Sequence, residues 1–186
     1  MTGSSVLPVT IHNGELYFLF GKENEKEQSA KGFSDFGGGV EKGEDIYDTA
    51  LREGAEELTG FLGDANAIRK HINANGGVYQ INHNDRYHVH IFYLKYDDNL
   101  VKYYNQNHVF LWDKMDTNYL SKTKLFEKIE IKWFSTKEMR ERRNEFREFY
   151  REIVDRFLSE EHLPKIKVFI QKKISKKSIR KTKRNN

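Results

Sequence analysis

Glu53, Glu56 and Glu57 are spaced i, i+3 and i+4, which stacks side chains along one face of an α-helix. Projected at 100° per residue from Asp45, the three carboxylates fall at about 80°, 20° and 120°, while Ile46, Tyr47, Ala50, Leu51, Gly54 and Leu58 lie between about 100° and 240°. The acidic stripe therefore borders the face that the helix must bury. Like charges at this spacing repel, and more strongly when partly buried, so a cation is expected beside them. Carboxylate oxygens in a chain without cysteine suit Mg²⁺ or Mn²⁺ better than a softer metal. Glutamate is also a good helix former, and an acidic stripe on an arbitrary helix is most often a solvated face. The residues upstream favour chemistry here. Gly37-Gly38-Gly39 lets backbone approach a ligand closely. Glu44 stands six residues after Gly38, and Arg52 eight after Glu44, where a guanidinium can lock a carboxylate through a charge-assisted hydrogen bond.

The elements that must position these residues are legible in outline. Val6 to His12 and Glu15 to Phe20 read as a hairpin closed by Asn13-Gly14. Residues 21 to 32 are charged and aperiodic, as in an exposed loop, and FSDF then leads into the glycines. A helix runs from about Asp45 to Gly60, and a shorter one is expected over 64 to 74. Strands follow at 78 to 82 and 87 to 96, the second alternating Tyr87, Val89, Ile91 and Tyr93 against His88, His90, Phe92 and Leu94. Residues 97 to 124 carry no clear period. Ile129 to Phe134 reads as a strand and 136 to 160 as one long amphipathic helix. This order predicts an α/β fold with mixed layers.

The stretch from Gly38 to Gly60, GGVEKGEDIYDTALREGAEELTG, resembles the Nudix box of MutT-like hydrolases: Gly, five residues, Glu, seven residues, Arg-Glu, two residues, Glu-Glu. All six fixed residues match, a coincidence on the order of 10⁻⁷ per register. Two positions depart from the pattern. Gly54 replaces the usual aliphatic residue, and Gly60 falls three places after Glu57 where the family has its glycine two places after. Neither removes a carboxylate.

The resemblance implies a Nudix α/β/α sandwich with a catalytic loop-helix and metal-dependent hydrolysis of a nucleoside diphosphate derivative. It implies Glu53, Glu56, Glu57 and the Gly38 carbonyl as ligands for Mg²⁺ or Mn²⁺, with Arg52 orienting Glu53 and Glu44 supporting the loop. The general base in such enzymes is a glutamate of the box, here Glu53, or a downstream acid, here Glu127 or Glu130. Gly39, Phe36, Arg86, His88 and Trp112 are candidates for substrate contact.

The 186 residues carry a net charge of +4 that is unevenly distributed. After Glu161 there are ten basic residues and no acid, which leaves residues 1 to 164 at −6. This divides the chain into a hydrolase domain, 1 to 164, and a basic tail, 165 to 186. The tail reads as a polyanion grip, a nuclear import signal or a solubilising end. Arg140, Arg142, Arg143, Arg147 and Arg151 would extend such a grip. Capped RNA is thereby the leading substrate expectation, by similarity to mRNA-decapping Nudix enzymes. Small diphosphates (a damaged nucleotide, a nucleotide sugar, a dinucleoside polyphosphate or a diphosphoinositol phosphate) and non-catalytic RNA binding are the alternatives. Neither a membrane-spanning apolar run nor a signal-peptide pattern is present in the sequence, so an intracellular protein is expected, cytoplasmic or nuclear.

Overall fold

The computed structural model describes residues 2–24, 31–120, 123 and 126–182, with the side chains of 117, 120 and 176–182 left out. Residues 25–30 of the charged loop, the tail side chains from Lys176 onward and residues 183–186 thus lie outside the described residues. Asn13 (φ +49°) and Gly14 (φ +83°) both take the left-handed conformation that a two-residue hairpin turn requires. They join β1 (Gly3–His12) to β2 (Glu15–Glu23).

β1 is the hub of a seven-stranded mixed sheet. One of its edges pairs in parallel with β6 (Tyr87–Tyr93), which in turn pairs with β5 (Tyr79–His83). The other edge is shared: residues 9–12 pair with β2, and residues 3–6 pair antiparallel with β4 (Phe36–Gly39). β2 also pairs with the two-residue β3 (Phe33–Ser34) and, on its far edge, with β7 (Lys128–Ser135).

Apolar alternation sends side chains to both faces, so both must be covered. On one face Val6, Leu19, Phe36, Ile131 and Trp133 pack with residues of α1 (Ile46–Glu57), α2 (Ala65–Ala74) and α3 (Asp98–Lys114). On the other, Leu7, Phe18, Phe20, Val89 and Phe134 pack with α5 (Thr136–Glu141), α6 (Tyr150–Phe157) and α7 (Leu163–Thr182). The result is an α/β/α sandwich. A single-turn α4 (Thr117–Leu120) follows α3.

Two expectations for the C-terminal elements change. The long helix over 136 to 160 is broken. Ser135 starts α5 with a capping box, a 3₁₀ turn occupies Arg143–Glu145, and the chain then straightens so that Phe146 pairs with Phe33 and the Arg147 N–H donates to the Phe33 carbonyl at 3.1 Å. Pairing with β3 competes with the helical ladder and wins because it also buries Phe146. The basic segment, for its part, starts inside α7, whose Ile166 and Ile170 are fully buried one turn apart. No helix among the described residues is long and apolar enough to cross a membrane.

Candidate active site

The glycine loop is set by the sheet. Gly3 to Val6 hold β4 in register, and a Cβ on Gly37 would overlap Ser5 and the Ser4 carbonyl. Asp35, buried just before β4, accepts hydrogen bonds from Ser5 and from the Tyr87 hydroxyl (2.6 Å), which ties the loop to β1 and β6. Burial raises its carboxyl above the usual range. A Cβ on Gly38 would lie 2.5–2.7 Å from the carboxyl atoms of Glu53, so this glycine is what lets that carboxylate rest against the loop.

α1 brings up the carboxylates. Its N-cap is Asp45, which accepts from the Asp48 N–H at 2.7 Å. Gly54 faces β1, and a Cβ there would overlap Val6 Cγ2. The departure from an aliphatic residue therefore reflects a close helix-strand approach. The helix exit explains the other departure. Gly60 N–H donates to Ala55 O (3.1 Å) and Thr59 N–H to Glu56 O (2.9 Å), a Schellman end with Thr59 at φ +49° in the place that glycine usually fills.

Arg52 organises one edge of the site. Its guanidinium donates to both oxygens of Glu44 (2.9 and 3.0 Å), to Glu53 Oε1 (2.7 Å) and to the Gly39 carbonyl (3.5 Å), and it lies 3.8 Å from Glu56. Thr49 Oγ1 also donates to Glu44, at 2.7 Å. The Arg52 hydrogen bonds pull the Glu44 carboxyl down to about 2, and the same contacts raise Arg52. Glu53 is 12% exposed in its side chain and Glu56 35%, so the stripe opens to solvent at Glu56.

Glu57 looks the other way. It is 5% exposed, accepts from the Gly37 N–H at 2.7 Å and stands 3.3 Å from the Lys128 ammonium. Lys128 is 1% exposed and also bonds Glu23 and Ser34 Oγ (2.8 Å), while Arg147 donates to Glu23 at 2.7 Å. Burial pushes the Glu57 carboxyl up to about 8, with Glu23 and Glu127 adding to the rise and Lys128 and the Gly37 N–H opposing it. For Lys128, burial favours the neutral amine, but Glu57 and Glu23 outweigh it and the ammonium is retained.

Sequence reasoning missed this cationic floor. Lys128 sits at a register shift where Glu23 pairs with Lys128 and its neighbour Lys22 pairs with Glu130. Its stem crosses Gly21, where a Cβ would lie 2.9 Å from Lys128 Cγ and Cδ. Gly21 was no usable signal in the sequence, where it opens the stretch expected to be a charged loop; β2 instead continues through Glu23, and the glycine acquires meaning only once the strands are paired.

The remaining candidates are dispersed. The charge of Glu127 is felt at Glu57, whereas that of Glu130 is felt at Arg142. Phe36 is fully buried beside the other core side chains of the α1 face, which corrects the expectation that its ring meets a substrate. Gly39 pairs with Gly3 and offers its carbonyl to Arg52. Gly3 also pairs with Tyr87, so the turn carrying Arg86 lies at the same end of the sheet as the glycine loop. His88 and Gly38 both pair with Ser4, on opposite edges of β1. That sets them two strand spacings apart, roughly 10 Å. Trp112 lines a cleft of about 410 Å³ with Asn24, His108, Val109, Asp113, Phe126 and Ile129.

Among the described residues, no three acidic or histidine side chains converge around a point that would hold an ion. The charges next to Glu53 and Glu57 are instead Arg52 and Lys128. The donor set still fits a hard divalent cation. Glu53 lies against the side-chain-free Gly38, and Glu56 is open to solvent beside it.

The family model of the NUDIX domain matches residues 1–157. Among solved structures, the fold is similar to a C. elegans Ap4A hydrolase in a binary complex (13% identity, TM-score 0.46, covering 91% of this chain and 97% of that one). It is also similar to a NUDIX hydrolase from Nitrosomonas europaea (18% identity, TM-score 0.35, covering 79% and 81%). No curated protein sequence matches the chain. The domain match spans the glycine loop, the carboxylate helix and the sheet that joins them, and the chain belongs to the Nudix hydrolase family.

Proposed function

We propose that this Nudix hydrolase cleaves the diphosphate linkage of a small nucleoside diphosphate derivative, with Mg²⁺ or Mn²⁺ held by Glu53, Glu56 and the Gly38 carbonyl, while Glu57, the third acid expected to join them, is engaged by Lys128 and the Gly37 N–H. The observation that carries this reading is the Arg52 clamp, which holds Glu53 against a loop that presents only backbone. When bound, the metal neutralises diphosphate charge and acidifies a water. The chain's own work is positional. Gly37 to Gly39 let the diphosphate reach the carboxylates without meeting a side chain. Arg52 keeps Glu53 in one orientation, and the Glu44 pair keeps Arg52 from swinging to the substrate. Glu57 ties the loop to the end of α1 through the Gly37 N–H. The base that takes the water proton is Glu53 or Glu127. Between the two downstream acids the influence of the Glu127 charge on Glu57 favours Glu127 over Glu130.

Of the five arginines expected to extend an RNA track, Arg140 is exposed and the other four are paired with neighbouring groups of the fold. Arg142 pairs with Glu145, Arg143 with Asp155 and Arg147 with Glu23, and Arg151 donates to the Phe146 and Asn144 carbonyls. That favours a small substrate. Cap hydrolysis is the second reading, supported by the exposed Lys165, Lys167 and Lys172 of α7. On that reading residues 1 to 164 carry the catalysis and the segment from 165 grips RNA. Capped RNA and a panel of nucleotide sugars, dinucleoside polyphosphates and diphosphoinositol phosphates, assayed with Mg²⁺ and with Mn²⁺, separate the two. Turnover of a small diphosphate with capped RNA untouched supports the first. Release of cap nucleotide alone overturns it, and RNA binding without any turnover overturns both. Glu53→Gln should abolish turnover while the protein stays folded.

A further inference from the structure

We infer that Lys128 is the fixed counter-cation of Glu57 and stands where that third glutamate would otherwise take a divalent ion, so that the chain loads one ion fewer than its three box carboxylates could share. The inference rests on the proposed ligand set of Glu53, Glu56 and the Gly38 carbonyl. A buried carboxylate needs partners on its oxygens, and Glu57 has them inside the protein. Its Oε2 accepts from the Gly37 N–H at 2.7 Å, and its Oε1 faces the Lys128 ammonium at 3.3 Å. Its side chain is 5% exposed, against 35% for Glu56 beside it on α1, so the water through which a hydrated ion arrives reaches Glu56 and hardly touches Glu57. An ion at the ~2.1 Å usual for Mg²⁺ from Oε1 would lie no farther than roughly 5.4 Å from the ammonium, with little solvent to screen the repulsion.

The ammonium is held in place. Its three N–H bonds meet three acceptors, Glu23, Ser34 Oγ (2.8 Å) and Glu57. Its stem lies against Gly21, where a Cβ would come within 2.9 Å of Cγ and Cδ, and the whole side chain is 1% exposed, so the charge has no route to solvent. Glu53 also touches a cation, yet the two cases differ. The Arg52 guanidinium is bound by both oxygens of Glu44, which offset its charge and leave Glu53 able to serve a metal. Glu23, the acid that would do the same for Lys128, is shared with Arg147 at 2.7 Å. Two cations thus face Glu23 and Glu57, and the buried set is balanced before any metal arrives.

Counting bound ions tests this without turnover. The full chain is titrated with Mn²⁺ in the absence of substrate, and free Mn²⁺ is read by electron paramagnetic resonance. Lys128→Met is expected to bind one Mn²⁺ more than the wild type, and the added ion should vanish in Lys128→Met/Glu57→Gln. Glu57→Gln alone keeps the ammonium and an acceptor for the Gly37 N–H. It should bind as many ions as the wild type, with affinity changed by less than about 10-fold, the smallest loss expected when a group that holds or orients a metal is removed. This arm decides the matter if Lys128→Met does not fold. An ion lost or a larger weakening in Glu57→Gln, or a folded Lys128→Met with wild-type stoichiometry, would overturn the inference. Glu53→Gln separates it from the proposed ligand set. If Glu53→Gln and Glu57→Gln both lose an ion, the ligand set stands and Lys128 is not the counter-cation. If Glu53→Gln binds Mn²⁺ as the wild type does while Lys128→Met gains its ion, the ligand set fails and the role of Lys128 stands.

Discussion

Lys128→Met removes the buried ammonium and keeps an unbranched stem to fill the channel over Gly21. Deleting one partner of a buried ion pair costs about 3–5 kcal/mol. Two features place this case at the low end near neutral pH. Glu23 keeps Arg147 at 2.7 Å and Ser34 Oγ at 3.1 Å, and burial raises the Glu57 carboxyl, which lessens the charge left uncompensated when the ammonium is removed. We expect a loss of about 3 kcal/mol at pH 7. The pH dependence is the sharper signature. A carboxyl raised in the folded state favours folding at low pH, and that contribution declines from its unfolded value near 4.5 up to the folded value. In the wild type the decline ends near pH 8. Without Lys128 the folded value moves higher and the decline continues, so the two proteins should diverge by about 1.4 kcal/mol per pH unit above 8. Urea unfolding in EDTA at pH 6 to 9.5 measures both quantities. A loss under about 1 kcal/mol, or a difference that stays constant from pH 7 to 9.5, would refute the account of Lys128 as the counter-charge of Glu57.

Gly38→Ala would place a methyl 2.5–2.7 Å from the Glu53 carboxyl atoms, and displacing that group should cut turnover roughly 100-fold with only a small change in melting temperature. Gly54→Ala should destabilise by about 1–3 kcal/mol despite alanine's better helix propensity, because its methyl overlaps Val6 Cγ2. Combining it with Val6→Ala should recover part of that loss, and strictly additive effects in denaturant titrations would show that the two do not meet. Thr59→Gly relieves a left-handed threonine at φ +49° and should stabilise by about 1 kcal/mol, which an unchanged or lower melting temperature would contradict. Ile170→Ala should cost about 2–5 kcal/mol as a core truncation on α7. For that reason a cut after Pro164 confounds folding with binding, and a cut after Ser175 is the cleaner probe of the tail. Unaltered stability after the earlier cut would show α7 to be dispensable.

α1 was legible because two signals coincide there, a 3.6-residue apolar period and a spaced set of charged residues. α3 was not, because its period is interrupted: Tyr104 and His108 are buried while Val109 and Phe110 are exposed. The break within 136 to 160 was hidden for the opposite reason. Apolar residues such as Met139, Phe146, Tyr150, Ile153 and Phe157 keep near-helical spacing although pairing with Phe33 interrupts the helix between them. Lys128 was illegible because a register shift, which depends on the partner strand, decides where its side chain goes.

The sequence by itself determined the family, the carboxylates, their arginine and the glycines beside them, because these are local: one loop and one helix set their spacing and orientation. It also showed that positive charge is concentrated after Glu161. Only the tertiary structure decided which carboxylate faces solvent and which faces a buried lysine. It likewise placed the beginning of the basic segment in the core. Those outcomes depend on burial and on charges brought together from β2, β7 and α1, separated by as many as 105 residues along the chain. Electrostatics acts through space and is weakened or strengthened by solvent access, and neither distance nor access is written in the order of residues.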